Sequence, residues 1–298
     1  MTDISASDII RQFDSISSQL SGQQVVGVFP YSSLDLDEFP LEARQHIYST
    51  LESIPSLRYV LLEATAELVT TRALSEAASL LPSKNVVIFL GVETSNDFIR
   101  RYCVNKSYAW EHMIEAVQII HSCGMQAHAF LLLKLPFLTE EESVHDALQS
   151  VRDCLAAGFD GVLLTGVEIA KHSLTEILMA RGLYEKFRPL SLVTVMAHLP
   201  ASLVGRTTVT SFTELELSSE EVGDHGEIDQ ESIDMARSAV EAFNRLNVPP
   251  RSVVATQAGY AGVEPVPVNT SQLRQRLMRY YRIVIDELTQ RRSVKTEQ

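Results

Sequence analysis

Short apolar runs alternate with longer segments of helical spacing along nearly the whole chain. Runs of strand length occupy Gln24–Pro30, Leu57–Glu63, Asn85–Gly91, Gln126–Leu133, Phe159–Thr165, Leu192–Ala197 and Arg251–Thr256. Several are continuous rather than alternating, as expected of parallel strands covered on both faces. In the segments between them, apolar residues recur at i, i+3 and i+4. Over Tyr108–Cys123, the residues Trp110, Met113, Ile114, Val117 and Ile120 predict a core-facing helical stripe. An opening helix over Asp8–Leu20 carries Ile9, Ile10, Phe13, Ile16 and Leu20, and a closing helix spans Ser271–Gln290. The helix ends are legible too. Thr139-x-x-Glu142 and Ser173-x-x-Glu176 fit the capping box, and Gly124, Gly158 and Gly182 stand where a left-handed stop is wanted.

Strand, helix and parallel strand in repetition predict right-handed crossovers and a parallel sheet or barrel. The 298 residues suit one α/β barrel, which typically needs about 250. The expectation is a single domain over 1–298, with an N-terminal helix in 1–22, an acidic excursion over 213–234 and a frayed tail over 291–298.

Composition narrows the function classes. A hydrophobic fraction of 45% supplies a large core. No apolar run approaches the roughly 18 residues that span a bilayer, and the start has acidic residues and no positive n-region. The three cysteines, Cys103, Cys123 and Cys154, fit neither a disulfide framework nor a zinc pattern, which points to a reducing cytoplasm. Against 38 acidic residues stand 25 basic ones, a net charge of −13. Gripping nucleic acid needs phosphate neutralisation by Lys and Arg, so direct nucleic-acid binding is not expected, nor is a membrane partner.

Polar residues at the carboxyl ends of buried parallel strands are where barrel enzymes place ligands and chemistry. Glu93 follows the run Asn85–Gly91, and Lys134 ends LLLK on the next strand. Together they are the expected acid/base or charge-clamping pair. A structural ion pair with Lys106, Lys134 or Arg100 is the competing reading for Glu93, and a lysine snorkelling to solvent is that for Lys134. Glu63 and Glu168 also stand at strand ends. His128 shares a strand face with Lys134 by the two-residue period, and serves as a ligand contact or a hydrogen-bonded core histidine. His198 ends the predicted strand Leu192–Ala197 at the same mouth. No metal site is assigned, and HExxH, GxSxG and GxxxxGK[ST] spacings are absent.

The stretch Asn85 to Ser143 carries a family resemblance. A strand ending in Gly91 leads through Glu93-Thr94-Ser95-Asn96-Asp97 to Arg100 and Asn105-Lys106. The next strand ends LLLKLPFLTEEE, with Lys134, Pro136 and Thr139. This run resembles radical S-adenosylmethionine proteins, most closely the branch related to the radical enzyme of archaeosine tRNA biosynthesis. The resemblance covers roughly Val25 to Pro200. In VVGVFPYSSLDLDEFP, the residues Tyr31, Ser32 and Asp35 occupy a turn that in the family lies near the amino-acid end of S-adenosylmethionine. Where the family has Glu-Ser-Arg-Pro, this chain reads Glu63-Ala64-Thr65-Ala66.

The family's first strand and its CxxxCxxC loop have no counterpart. The resemblance thus implies an α/β fold: an incomplete parallel (β/α) TIM-type barrel of the radical SAM type without its cluster-bearing strand. It implies ligand-binding roles for Glu63, Ser32, Thr94, Asn96, Lys106, His128, Glu168 and His198 around the catalytic Glu93 and Lys134. No iron–sulfur cluster is expected on this chain, and S-adenosylmethionine or an amino-acid derivative is the expected ligand. Two function classes follow: a biosynthetic enzyme using non-radical chemistry, favoured here, or a non-catalytic partner subunit of a cluster-bearing radical or tRNA-modifying enzyme. A homo-oligomer is a further arrangement.

Overall fold

The computed structural model describes residues 5–29, 32–210, 230–250 and 263–296, without the side chains of 230–232 and 286–296. Among these are six parallel strands: β1 (Val25–Val28), β2 (Tyr59–Ala64), β3 (Asn85–Glu93), β4 (Gln126–Leu133), β5 (Gly161–Gly166) and β6 (Thr207–Val209). They form one sheet in sequence order, β1 to β6. Each strand returns to its neighbour's side through helical connections, as parallel pairing requires. The class is an α/β incomplete TIM-type barrel, as expected from the sequence.

The helices are α1 (Ala6–Ser17), α2 (Leu41–Glu52), α3 (Thr71–Leu80), α4 (Asp97–Cys103), α5 (Trp110–Ser122), α6 (Glu140–Ala156), α7 (Leu174–Ala180), α8 (Pro189–His198), α9 (Ala201–Val204), α10 (Gln230–Leu246) and α11 (Thr270–Thr296). The chain divides into two compact units. One holds 1–92, 108–130 and 155–161, the other 93–107, 131–154 and 162–298.

In the first unit the pairing register sets Val25 against Tyr59 and Glu63 against Phe89. The opening helix forms where expected, but only Phe13 is buried, and Ile16 stays 48% exposed. It packs on α2, with the Asp14 carboxylate 2.7 Å from His46 Nε2. In α5, Met113, Val117 and Ile120 are buried as the stripe predicts.

The second unit has its own core. Ile99 of α4, Leu135, Phe137 and Leu138 after β4, and Ile177 and Leu178 of α7 pack with Leu273, Leu277 and Val284 of α11. The capping box at Thr139 and Glu142 is present. Thr139 Oγ1 accepts from the Glu142 N–H at 3.2 Å, and Glu142 Oε2 accepts from the Thr139 N–H at 3.0 Å. At the second predicted box, Ser173 caps the Glu176 N–H at 3.2 Å, while the Glu176 carboxylate accepts from His172 instead. Gly124, Gly158 and Gly182 have φ of 73°, 102° and 64°, the left-handed stops read from the sequence.

One predicted strand is a helix. Leu192–Ala197 lies inside α8, whose residues Pro189 to Met196 are all buried. A helix apolar all round shows no 3.6-residue period, so its β-branched run reads as a buried strand. The sixth strand is instead Thr207–Val209, too short and polar to stand out. Cys103 is the last residue of α4. The expected strand Arg251–Thr256, the ends Pro30 and Tyr31, and most of 213–234 lie outside the described residues, although Gln230–Asp234 opens α10. The last helix continues through the predicted tail to Thr296. No described helix is long and apolar enough to cross a membrane.

Candidate functional site

Two non-glycine residues at consecutive strand ends have left-handed backbone. Glu93, the last residue of β3, has φ 63°, and Lys134, just after β4, has φ 67°. This conformation costs roughly 1–2 kcal/mol in an L-residue, and persists only where the surroundings over-determine it.

Glu93 is buried, and its carboxylate forms an ion pair with the Lys106 ammonium. Asn105 is also left-handed, with φ 65°, and turns the chain back after α4 so that Lys106 can reach. The Lys106 N–H donates to Arg100 O at 3.1 Å, fixing that return. The Lys106 side chain is 25% exposed, against 11% for Glu93, so the pair is sheltered on one side and open on the other.

The turn after Glu93 is built entirely from polar contacts. Thr94 is fully buried; its hydroxyl donates to Asp146 Oδ1 at 3.0 Å and accepts the Asn96 N–H at 3.0 Å. Ser150 Oγ accepts the Ser95 N–H at 2.9 Å, and the Ser95 hydroxyl donates to Asp153 at 2.7 Å. The fully buried Arg100 guanidinium donates to Thr94 O at 2.6 Å and pairs with Asp97. Asn96 is the N-cap of α4, accepting from Phe98 and Ile99 at 3.0 and 3.2 Å, the satisfaction a helix start needs.

Lys134 is held differently. Its N–H donates to Ser143 Oγ at 2.5 Å, and its carbonyl accepts from the Tyr184 hydroxyl at 2.7 Å. Its ammonium, on a side chain 7% exposed, reaches Glu140 at 3.2 Å and Leu138 O at 3.3 Å. Glu140 also accepts from the Arg188 N–H at 3.0 Å and from the Ser191 hydroxyl. The structure thus gives each of the two expected catalytic residues its own counter-ion: Lys106 for Glu93 and Glu140 for Lys134. The Lys134 charge is neutralised inside the protein, and the Glu93–Lys106 pair is the one a solute can reach. Glu168, in the same unit, is exposed. His198 ends α8 rather than a strand, with Nδ1 2.8 Å from Thr194 O.

Asp146 is the group sequence reasoning missed. Its carboxyl is wholly buried, and desolvation pushes its pKa up to about 7. The Thr94 hydrogen bond and Arg100 act against that shift, while Asp153 adds to it. A signal existed. Ser143, Asp146, Ser150 and Asp153 recur at helical spacing along α6, among the buried Val144, Ala147, Leu148 and Val151. Polar residues in register with a core stripe mark a helix that packs on polar backbone.

In the first unit, Ser33 ties the loop after β1 to the end of β2. Its hydroxyl accepts from the Glu63 N–H at 3.1 Å, and its own N–H donates to Glu63 O at 2.8 Å. Glu63 itself is half-buried. The Ser32 hydroxyl is buried with no partner among the described residues. His128 is half-buried, edge-on to Phe89 with ring centroids 5.2 Å apart. A side chain at Gly161 would come within 2.7 Å of its ring, so glycine there makes room for the imidazole.

Cys103 and Cys154 are buried, and desolvation raises both, Cys103 to about 12. Desolvation thus disfavours the thiolate form in both. No group of three or more His, Cys, Asp or Glu among the described residues could hold a metal ion.

Fold and strand-end geometry together define an incomplete α/β barrel with polar groups fixed at the carboxyl ends of its strands. Comparison places the chain near two curated archaeal proteins. It is 32% identical over 120 residues to archaeosine synthase subunit beta of Thermococcus kodakarensis, covering 40% of this chain and 37% of that one. It is 30% identical over 192 residues to archaeosine synthase subunit beta of Methanosarcina acetivorans, covering 64% of this chain and 53% of that one. The chain therefore spans about half the length, or less, of these relatives. The likeness to the archaeosine branch read from the motifs is met by both. Among solved structures, Elp3 of Methanocaldococcus infernus, lacking its N-terminal residues 1–46, superposes with a TM-score of 0.52 at 11% identity. The match covers 79% of this chain and 58% of that one, and supports the fold. No model of a known protein family matches the chain.

Proposed function

We propose that this barrel binds a small polar metabolite at the carboxyl ends of its strands, with Glu93 and Lys106 as the contact groups. The observation carrying this reading is the left-handed Glu93, whose carboxylate is presented beside a partly exposed lysine. A zwitterionic amino-acid group matches that pair. Its ammonium replaces Lys106 on Glu93 and its carboxylate replaces Glu93 on Lys106, two charge-assisted bonds for one. S-adenosylmethionine and amino-acid derivatives carry such a group.

The reading includes an enzyme of non-radical chemistry, with Glu93 moving a proton at the bound ammonium or a neighbouring hydroxyl. Lys134 then acts through structure, holding Glu140 and the turn after β4. In the other unit, the Ser32 hydroxyl, without a partner among the described residues, and the strand-end Glu63 are the groups for a ligand contact, with His128 of β4 as a further candidate.

A thermal-shift screen with S-adenosylmethionine, methionine, methylthioadenosine and free amino acids tests this. A ligand at 100 times its Kd stabilises the native state by about 2.7 kcal/mol. The expected result is a raised melting temperature, lost in Glu93→Gln while the unliganded melting temperature stays nearly unchanged. A large loss of stability in Glu93→Gln with ligand binding intact makes the pair structural and rejects the reading.

A second reading is a partner subunit, favoured by the two curated relatives being named as a subunit beta. Affinity purification of the tagged chain from its native cells tests it: a stoichiometric second protein supports it, and a monodisperse chain alone rejects it.

A further inference from the structure

One face of α6 touches both left-handed strand-end turns. Ser143 takes the Lys134 N–H at 2.5 Å, Asp146 takes the Thr94 hydroxyl at 3.0 Å, Ser150 takes the Ser95 N–H at 2.9 Å and Asp153 takes the Ser95 hydroxyl at 2.7 Å. These residues stand at i, i+3, i+7 and i+10, a single stripe on a straight helix. We propose that this stripe is the positioning element of the candidate site, and that Asp146 is the positioning residue for Glu93. The proposal deepens the reading of Glu93 as a contact group and rests on it.

A chain leaving a parallel strand has extended conformations open to it, all cheaper than the left-handed one Glu93 adopts. Ion pairing with Lys106 alone does not select it, because a flexible glutamate reaches a flexible lysine from many backbones. The next residue is what is fixed. Thr94 has no freedom: its hydroxyl is shared between Asp146 and the Asn96 N–H, and its carbonyl takes the Arg100 guanidinium at 2.6 Å. With Thr94 pinned on both sides, the backbone of Glu93 at the end of β3 takes up the change of direction into the turn. Side-chain hydrogen bonds of this kind, supporting a site residue from behind, hold site geometry within the tolerances that binding needs.

Asp146 also makes the clasp responsive to protonation. The groups acting on its carboxyl are Thr94 and Arg100 from the turn and α4, Cys103 at the end of α4, and Asp153 from α6 itself; Glu142 of α6 and Arg276 of α11 act on Cys103. Arg100 is engaged with Thr94 O and Asp97, and Arg276 is paired with Glu142. Ionising Asp146 thus places a carboxylate in a buried setting beside a second one, Asp153. The bond most exposed to that change is the one to Thr94.

Carbon-13 NMR of the full chain labelled in its glutamate carboxyls reads this directly, with the Glu93 signal identified by its absence in Glu93→Gln. The signal is expected to show a step with a midpoint near pH 7 in the wild type, reporting Asp146 through the turn. Asp146→Asn, which keeps an acceptor for Thr94, and Thr94→Val, which removes the linking hydroxyl, both lose the step. Leu148→Ala, a core truncation on the same helix, lowers stability and keeps it. No step in the wild type, or a step that persists in Asp146→Asn, overturns the proposal. A step that persists in Thr94→Val shows that Asp146 acts through its field alone and equally overturns positioning. No ligand is present, so these outcomes stand apart from the ligand screen: failed binding with an intact step rejects the proposed function, and binding without a step rejects only the clasp.

Discussion

At the scale of single residues, the molecule concentrates buried polarity around one turn. Arg100 is wholly buried yet satisfied, the Thr94 hydroxyl is shared among Asp146, Asn96 and Ser150, and Asp146 is a buried carboxyl with no salt bridge among the described residues. Its folded pKa, about 7, lies above the unfolded value of 3.8. The native state therefore keeps a proton that the unfolded chain gives up. The stability this contributes is full below about pH 4, declines as pH rises from there, and is gone above about pH 7. Other carboxyls act in the opposite sense, Glu141 and Asp160 being held low by their hydrogen bonds, so the test is a difference. Urea unfolding of the wild type and Asp146→Asn at pH 4 and pH 8 is expected to show the variant losing less stability on going to pH 8. Equal changes in the two proteins reject the assignment. Glu93 and Lys134 were legible in the sequence as polar residues at apolar strand ends, and Lys106 through the family resemblance. Lys106 stood among three candidate partners for Glu93, but the choice was not legible, because it depends on the left-handed Asn105 that returns Lys106 to Glu93, and on α6 supplying Glu140 to Lys134. The sign of a backbone dihedral leaves no local pattern in the sequence.

At the scale of elements, the strands and caps that could be read share one property: their signal is local. Parallel strands with both faces covered are apolar throughout, which exposes β2, β3, β4 and β5 in the sequence. The α6 cap is read from Thr139 and Glu142 because a capping box needs only four consecutive residues. Thr139→Ala removes the acceptor for the Glu142 N–H and is expected to cost about 1 kcal/mol in urea unfolding. Because α6 anchors both turns, the same substitution should speed amide exchange at Ser95 and Lys134 more than in α5. Equal protection in the variant would mean that the stripe alone, without its cap, holds the turns. The misread element is instructive. In α8 every residue from Pro189 to Met196 is buried, so its polar–apolar period vanishes and β-branched Val193, Thr194 and Val195 mimic a strand. The helical reading was available in Pro189 at the first helical position, where its missing N–H costs nothing. The Thr194 hydroxyl confirms the helix by bonding back to Leu190 O at 2.9 Å.

At the scale of the whole molecule, the six parallel strands among the described residues run in sequential order with polar groups such as Glu63, Glu93 and Lys134 at carboxyl ends, the arrangement that makes barrels general platforms for ligand sites. The alternation of apolar runs and helical segments was enough to name that class. Fold alone does not assign chemistry, and the expectation that this chain carries no iron–sulfur cluster has a direct test. Anaerobic reconstitution of this chain with iron and sulfide is expected to leave it without a stoichiometric visible absorption band. A cluster bound at one per chain, lost in Cys103→Ala, would show that the buried thiols do ionise. The central claim is that Glu93 and Lys106 form an openable ion pair that receives a zwitterionic metabolite. Isothermal titration calorimetry of the full chain with S-adenosylmethionine and with methionine tests it most directly. Saturable binding in the wild type, abolished in both Glu93→Gln and Lys106→Met with melting temperatures held, is the predicted result. Binding that survives both substitutions, or no binding of either compound to the wild type, contradicts it.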